Sequence, residues 1–180
     1  TRLMKIVVWS KAVEGTDRGW TLLHHACYLS KDDASMLSAV TMILDRVGNV
    51  LDGDGVKAYV NRYTTEGLDT GFSSGFTALH LACIHRSSEE MVRPAIAVNL
   101  LEWGADALLK SKDGDGLIAM AWAARTSHLR MMECLWDKVG PHGREFREKR
   151  GRGVWESAGT NNEILDWLSE RGFQASTTWL

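Results

Sequence analysis

An all-α solenoid of stacked helix–turn–helix units is the fold the sequence predicts, and three observations predict it. The stretch Gly75-Phe76-Thr77-Ala78-Leu79-His80-Leu81-Ala82-Cys83 recurs 56 positions upstream as Gly19-Trp20-Thr21-Leu22-Leu23-His24-His25-Ala26-Cys27. The overlay continues without a gap, so that Gly19 to Gly48 falls on Gly75 to Gly104, with Ala39 on Ala95 and Leu44 on Leu100. Each copy also reads as a turn glycine, a Thr able to cap a helix, and a short helix with apolar residues three apart on one face. A unit of that size cannot bury its apolar face alone, so self-similarity at this spacing implies units stacked on one another.

The chain divides accordingly. Residues 1–16 read as a partial first unit, in which Leu3-Met4-Lys5-Ile6-Val7-Val8-Trp9 suits a second helix. Residues 17–48 form the first full unit, with Leu22, Leu23 and Ala26 on its first helix. Its second helix carries Leu37, Val40, Met42, Ile43, Leu44 and Val47 and is preceded by Ser30-Lys31-Asp32-Asp33, the S-x-x-D shape of a capping box. Residues 49–74 are a long insertion: Asn49 to Gly55 is turn-forming, a short element is expected near Val56 to Val60, and a long finger loop follows. Thr64 to Ser74 is expected to be peripheral and to hold little of the core.

The next unit, 75–106, ends in a second helix with Pro94 in its first turn, where the missing N–H is harmless, and Gly104 at its left-handed stop. The third, 113–140, departs from the motif: Ile118 stands where Thr should stand and Ala121 where His should stand. Residues 153–173 form a degenerate last unit, with Val154 to Ala158 as a vestigial first helix and Asn162 to Gly172 as the second. Ala26 and Ala82 are expected to face the neighbouring helix pair, where a larger side chain finds no room.

Composition bounds the classes. In 180 residues the hydrophobic fraction of 44% supports a core, and a net charge of -2 suits neither a wholesale nucleic-acid binder nor an acidic solvating chain. No apolar run approaches the roughly 18 residues of a membrane span, and no signal peptide is visible, so no membrane insertion by this segment is expected. Three cysteines make no disulfide framework; Cys27 and Cys83 sit at equivalent repeat positions and read as small packing groups, which points to an intracellular, reducing compartment. The chain opens at Thr1 in what reads as mid-unit, so it is expected to be part of a longer protein.

The motif around Thr77 and His80 resembles the T-P-L-H-x-A signature of ankyrin repeats, and Pro94 to Asp106 resembles that family's second helix with its G-A-D ending. The resemblance implies an ankyrin-repeat solenoid with hairpin fingers, in which His24 and His80 hydrogen-bond turn backbone between units. It implies protein–protein recognition on a concave face. Carrying the family's variable positions over gives Trp20, Tyr28 and Leu29 in the first unit, Phe76, Ile84 and His85 in the second, and Leu117 and Arg125 in the third. Trp20 and Phe76 then act as anchors that project from the turns and do not support the core. The long finger also resembles those of vanilloid-type transient receptor potential channels, which would make the chain a cytosolic regulatory domain of a channel or receptor.

Other chemistries fare worse. His24, His25 and Cys27 with His80 and Cys83 lack zinc-ligand spacing, because no C-x-x-C or H-x3-H set exists, so no metal site is expected. The two D-G-D-G stretches start like calcium loops, but the twelfth positions are Tyr63 and Ala124, not Glu. Eight tryptophans are present, and Trp103, Trp136 and Trp167 read as packing residues late in second helices. The basic segment with Arg144, Arg147, Lys149, Arg150 and Arg152 could contact nucleic acid or another acidic partner, although Glu145 and Glu148 favour a solvated, salt-bridged loop. No nucleophile elbow, phosphate-binding glycine loop or H-E-x-x-H is present, so neither catalysis nor a cofactor is expected.

Overall fold

The computed structural model describes residues 19–29, 34–65, 74–84, 92–139 and 153–173. The partial first unit, the Ser30–Asp33 capping box, the finger tip 66–73, His85 and the basic segment 144–152 lie outside the described residues. Among those residues all regular structure is helical. In chain order the helices are α1 (Leu22–Leu29), α2 (Ala34–Gly48), α3 (Gly53–Val60), α4 (Ala78–Ile84), α5 (Val92–Glu102), α6 (Ala119–Arg125), α7 (Leu129–Val139), α8 (Val154–Ser157) and α9 (Asn162–Glu170).

They pack as two rows. The first helices α1, α4, α6 and α8 touch in succession, as do the second helices α2, α5 and α7, and α1, α4 and α6 each pack on the second helix of their own unit. One continuous core runs through the stack, with Leu23, Leu44, Leu79, Ile96, Leu100, Met120, Met131 and Leu168 fully buried. Ala82 is completely enclosed and Ala26 nearly so, where α1 meets α4, as the close packing of small residues requires. Met42 belongs to the apolar pattern of α2 but turns outward and is 62% exposed, while Val40, Ile43, Leu44 and Val47 fill the core. At the far end Trp136 meets Trp167 edge-on and Phe173 at a tilt, joining α7 to α9.

The turns explain the glycines. Gly19 and Gly75 both have positive φ, +68° and +94°, a region that side chains with a Cβ rarely enter. A Cβ on Gly75 would stand 2.5 Å from the carbonyl carbon of Lys112, whose amide donates to the Gly75 carbonyl at 2.7 Å. The backbone is thus drawn tight where one hairpin meets the next.

The long connection divides into two insertions. In the third hairpin, Leu117 follows Ser111 by six positions, and the Ser111 amide bonds the Leu117 carbonyl. Thr64 and Phe76 make the same bond, yet Phe76 follows Thr64 by twelve. Six of the extra residues therefore lie in the hairpin, and the rest form α3. Gly53-Asp54-Gly55 reads as a turn in isolation but opens this helix, because Asp52 caps it by accepting the Gly55 amide at 2.8 Å and because Val56, Tyr59 and Val60 are buried. Thr64 corrects the expectation for 64–74: it is buried, and its hydroxyl oxygen accepts the amides of Gly75 and Phe76 at 3.0 Å each.

Candidate recognition face

Each repeat turn is held by a Thr–His pair. The Nδ1 atom of His24 accepts the Thr21 amide at 3.0 Å, while the His24 amide donates back to the Thr21 hydroxyl. Nδ1 being the acceptor, Nε2 carries the hydrogen and donates it to the Arg62 carbonyl at 2.9 Å. His80 repeats this with Thr77 and with the Leu109 carbonyl at 3.0 Å. Each histidine therefore ties its own helix start to the next hairpin. Burial, opposed by these carbonyl bonds, lowers both pKa values from 6.5 to about 4, so both imidazoles stay neutral.

The residue before that Thr corrects the expected anchors. Trp20, Phe76 and Leu117 are only 1%, 2% and 1% exposed, and Ile84 is also buried. Their side chains turn back under the first helices because that is where apolar partners stand. Trp20 meets Tyr28 edge-on at 5.7 Å and His25 at 5.2 Å; Phe76 reaches into the next unit and meets Trp122 edge-on at 5.5 Å. These rings support the core and cannot project into a groove. Of the other expected positions, Tyr28 is half-buried and Arg125 is exposed, whereas the Leu29 side chain and His85 lie outside the described residues.

In the first and third units two repeat positions reach the surface, one of them outside the expected set. Counting from the motif Thr, His25 and Trp122 occupy equivalent positions, as do Tyr28 and Arg125. All four lie on first helices, half-buried or exposed. Trp122 is fixed by an indole N–H donated to the Ser111 hydroxyl at 3.4 Å and by the Arg125 guanidinium 5.1 Å from its ring centroid. Arg125 is in turn paired with Asp115 of the hairpin, so helix and hairpin border one surface. Trp122 and His25 were missed because the motif places them next to the structural His; the signal for Trp122 was a tryptophan in an otherwise small-residue helix.

The two motif thiols are not poised as nucleophiles. Burial pushes the Cys27 thiol up to about 12 and raises Cys83, so both stay protonated and inert at neutral pH. Among the described residues no group of three His, Cys, Asp or Glu is placed to hold a metal ion, and no helix is long and apolar enough to cross a membrane. No curated protein matches the chain. Residues 74–112, which hold the second unit and the hairpin that follows it, match the family model of the ankyrin repeat, and the helical stack around them agrees with that repeat's fold.

Proposed function

We propose that the chain is a non-catalytic protein-recognition module, and that its binding face is the row of first helices with the hairpins beside them. The observation that carries this reading is the two-layer arrangement of rings: buried Trp20 and Phe76 stand behind half-buried Tyr28, His25 and Trp122. A ring held from behind loses little conformational entropy on contact, and aromatic and Arg side chains so placed are typical interface hot spots. The face is thus made of Tyr28, Trp122 and Arg125 with His25, resting on a core that leaves these positions free to vary.

The test compares partner capture by the wild-type chain with that by Tyr28→Ala and Trp122→Ala, with bound proteins identified by mass spectrometry and folding followed by circular dichroism. Loss of the same captured protein in both variants, at unchanged helicity, is expected. Undiminished capture by both variants sinks the reading.

A further inference from the structure

We infer that the chain's own apolar run Leu3-Met4-Lys5-Ile6-Val7-Val8-Trp9 docks along α2 as a lone second helix, over Ile43 and Val47, and closes that end of the stack. The inference is independent of the recognition face proposed above. Its basis is repeat position. Relative to the closing glycines Gly48, Gly104 and Gly172, one position holds Ile43, Asn99 and Trp167, and another holds Val47 and Trp103. Wherever a preceding second helix is described, these positions reach back to it. Asn99 donates from Nδ2 to the Thr41 hydroxyl of α2 at 2.7 Å, and Trp167 meets Trp136 of α7 edge-on. Trp103 lies so near α2 that a Cβ on Gly48 would stand 2.5 Å from its ring.

In α2, the first second helix described, the same two positions look toward the end of the stack. The following unit stands on the other side: α5 meets α2 at Thr41 and Gly48, and α3 is tied to that unit by the Asn61 side-chain amide, which donates to the Gly104 carbonyl at 2.8 Å. Ile43 and Val47 are nevertheless as buried as core residues. Their cover is narrow, because Met42 on the outer face and Val50 past the helix end stay exposed. Over α1 the end is open. Leu22 is 41% exposed, whereas Ala78 and Ala119, which hold its place in the next two units, are buried.

A whole unit, or a second copy of the chain stacked here, would close both sides. A single helix over α2 closes one. The residues ahead of Gly19 carry a run of that kind, with six apolar residues in seven. The connection also has the right length: Thr21 follows Trp9 by twelve positions, and Ile118 follows Gly104 by fourteen across the third hairpin. At the far end, by contrast, α9 turns Ser169 and Glu170 to water, as a terminal unit does.

Hydrogen–deuterium exchange of the whole chain, read by mass spectrometry over residues 1–16, tests this. Amides of residues 3–9 are expected to exchange at least about tenfold more slowly than in a synthetic peptide of residues 1–16. Val47→Ala should remove most of that protection while α9 keeps its own, and Leu22→Ala should change it by less than about twofold. Where Val47→Ala loosens α9 as well, Ile43→Val, a single-methyl deletion, carries the same comparison. Exchange at the rate of the free peptide overturns the inference. Protection that neither Val47→Ala nor Ile43→Val reduces, or that Leu22→Ala removes, places the run elsewhere and overturns it too. Protection that grows with protein concentration gives the cover to a second copy and likewise overturns it.

Discussion

The second and third units build the same turn by different means. In the second, Thr77 and His80 cap α4 reciprocally, and the far nitrogen of His80 secures the Leu109 carbonyl of the following hairpin. In the third, Ile118 stands at the start of α6 with no side-chain cap, and Ala121 has no hydrogen-bonding group to send forward. What holds that turn comes from behind: the Ser111 hydroxyl oxygen accepts the Leu117 amide at 3.1 Å, and Asp113 braces the Ser111 hydroxyl. The difference teaches that the motif histidine works on the next hairpin more than on its own helix. A unit can lose it and still fold, provided the hairpin before it is secured.

The largest effect should come with acid. His24 and His80 have pKa values of about 4 in the folded chain against 6.5 in the unfolded one. Below 6.5 the unfolded chain therefore binds protons that the folded chain does not. Stability from these groups is complete above pH 6.5, falls as pH drops toward 4, and levels off beneath that. The displacement corresponds to about 3 kcal/mol per histidine, or on the order of 6 kcal/mol for both. Urea midpoints measured from pH 7.5 to 4.5 should fall steeply for wild type and much less for His24→Gln/His80→Gln. Equal slopes would place the acid sensitivity elsewhere.

The next largest effect crosses from the second unit into the third. Phe76 is buried against Trp122, so Phe76→Ala opens a cavity at the joint and should cost roughly 3–5 kcal/mol. Because Phe76 stands against the Trp122 ring, the variant should also change the fluorescence of Trp122, which a Phe76→Ala, Trp122→Phe comparison isolates. A melting temperature within error of wild type would mean that the ring is not packed as described.

A smaller loss separates the two turns directly. His80→Ala leaves the Thr77 amide and the Leu109 carbonyl without their partner in a buried site and should cost roughly 2–3 kcal/mol. Ala121→Gly, at the matching place in the third unit, breaks no side-chain hydrogen bond and should cost about 1 kcal/mol, the helix-propensity difference between the two residues. Comparable losses from the two changes would contradict the forward role of the histidine.

The repeat itself was legible because its signals are local: the turn glycine, the Thr and His at fixed spacing, and the small residues facing the next unit all appear in one nine-residue stretch. The direction of Trp20 and Phe76 was not, since it depends on rings contributed at other positions, Tyr28 on the helix that follows Trp20 and Trp122 in the next unit. Helix α3 was obscured for a related reason. Two glycines and two aspartates in succession favour a turn, and the helix is fixed instead by the Asp52 cap and by burial of Val56, Tyr59 and Val60. Of the face proposed here, Tyr28 and Arg125 were expected from the variable positions of the resembled family, whereas Trp122 stands where the matching residue of the second unit, Leu81, is buried.

The smallest effect tests whether the Thr alone matters. Ile118 has the extended conformation of an N-cap, φ -78° and ψ 165°, and is 8% exposed. Ile118→Thr adds a hydroxyl that can accept an amide of the first turn, a gain of about 1 kcal/mol. It also removes buried apolar surface and places a hydroxyl in its stead, a loss of about the same size. The two nearly cancel, so the urea midpoint should move by less than the equivalent of about 1 kcal/mol. In the second unit the Thr77 hydroxyl lies 2.8 Å from His80 Nδ1 as well as near the His80 amide, and Ala121 supplies no such partner. A stabilisation well above 1 kcal/mol would show that the hydroxyl is sufficient by itself, and that the histidine is not what distinguishes the two turns.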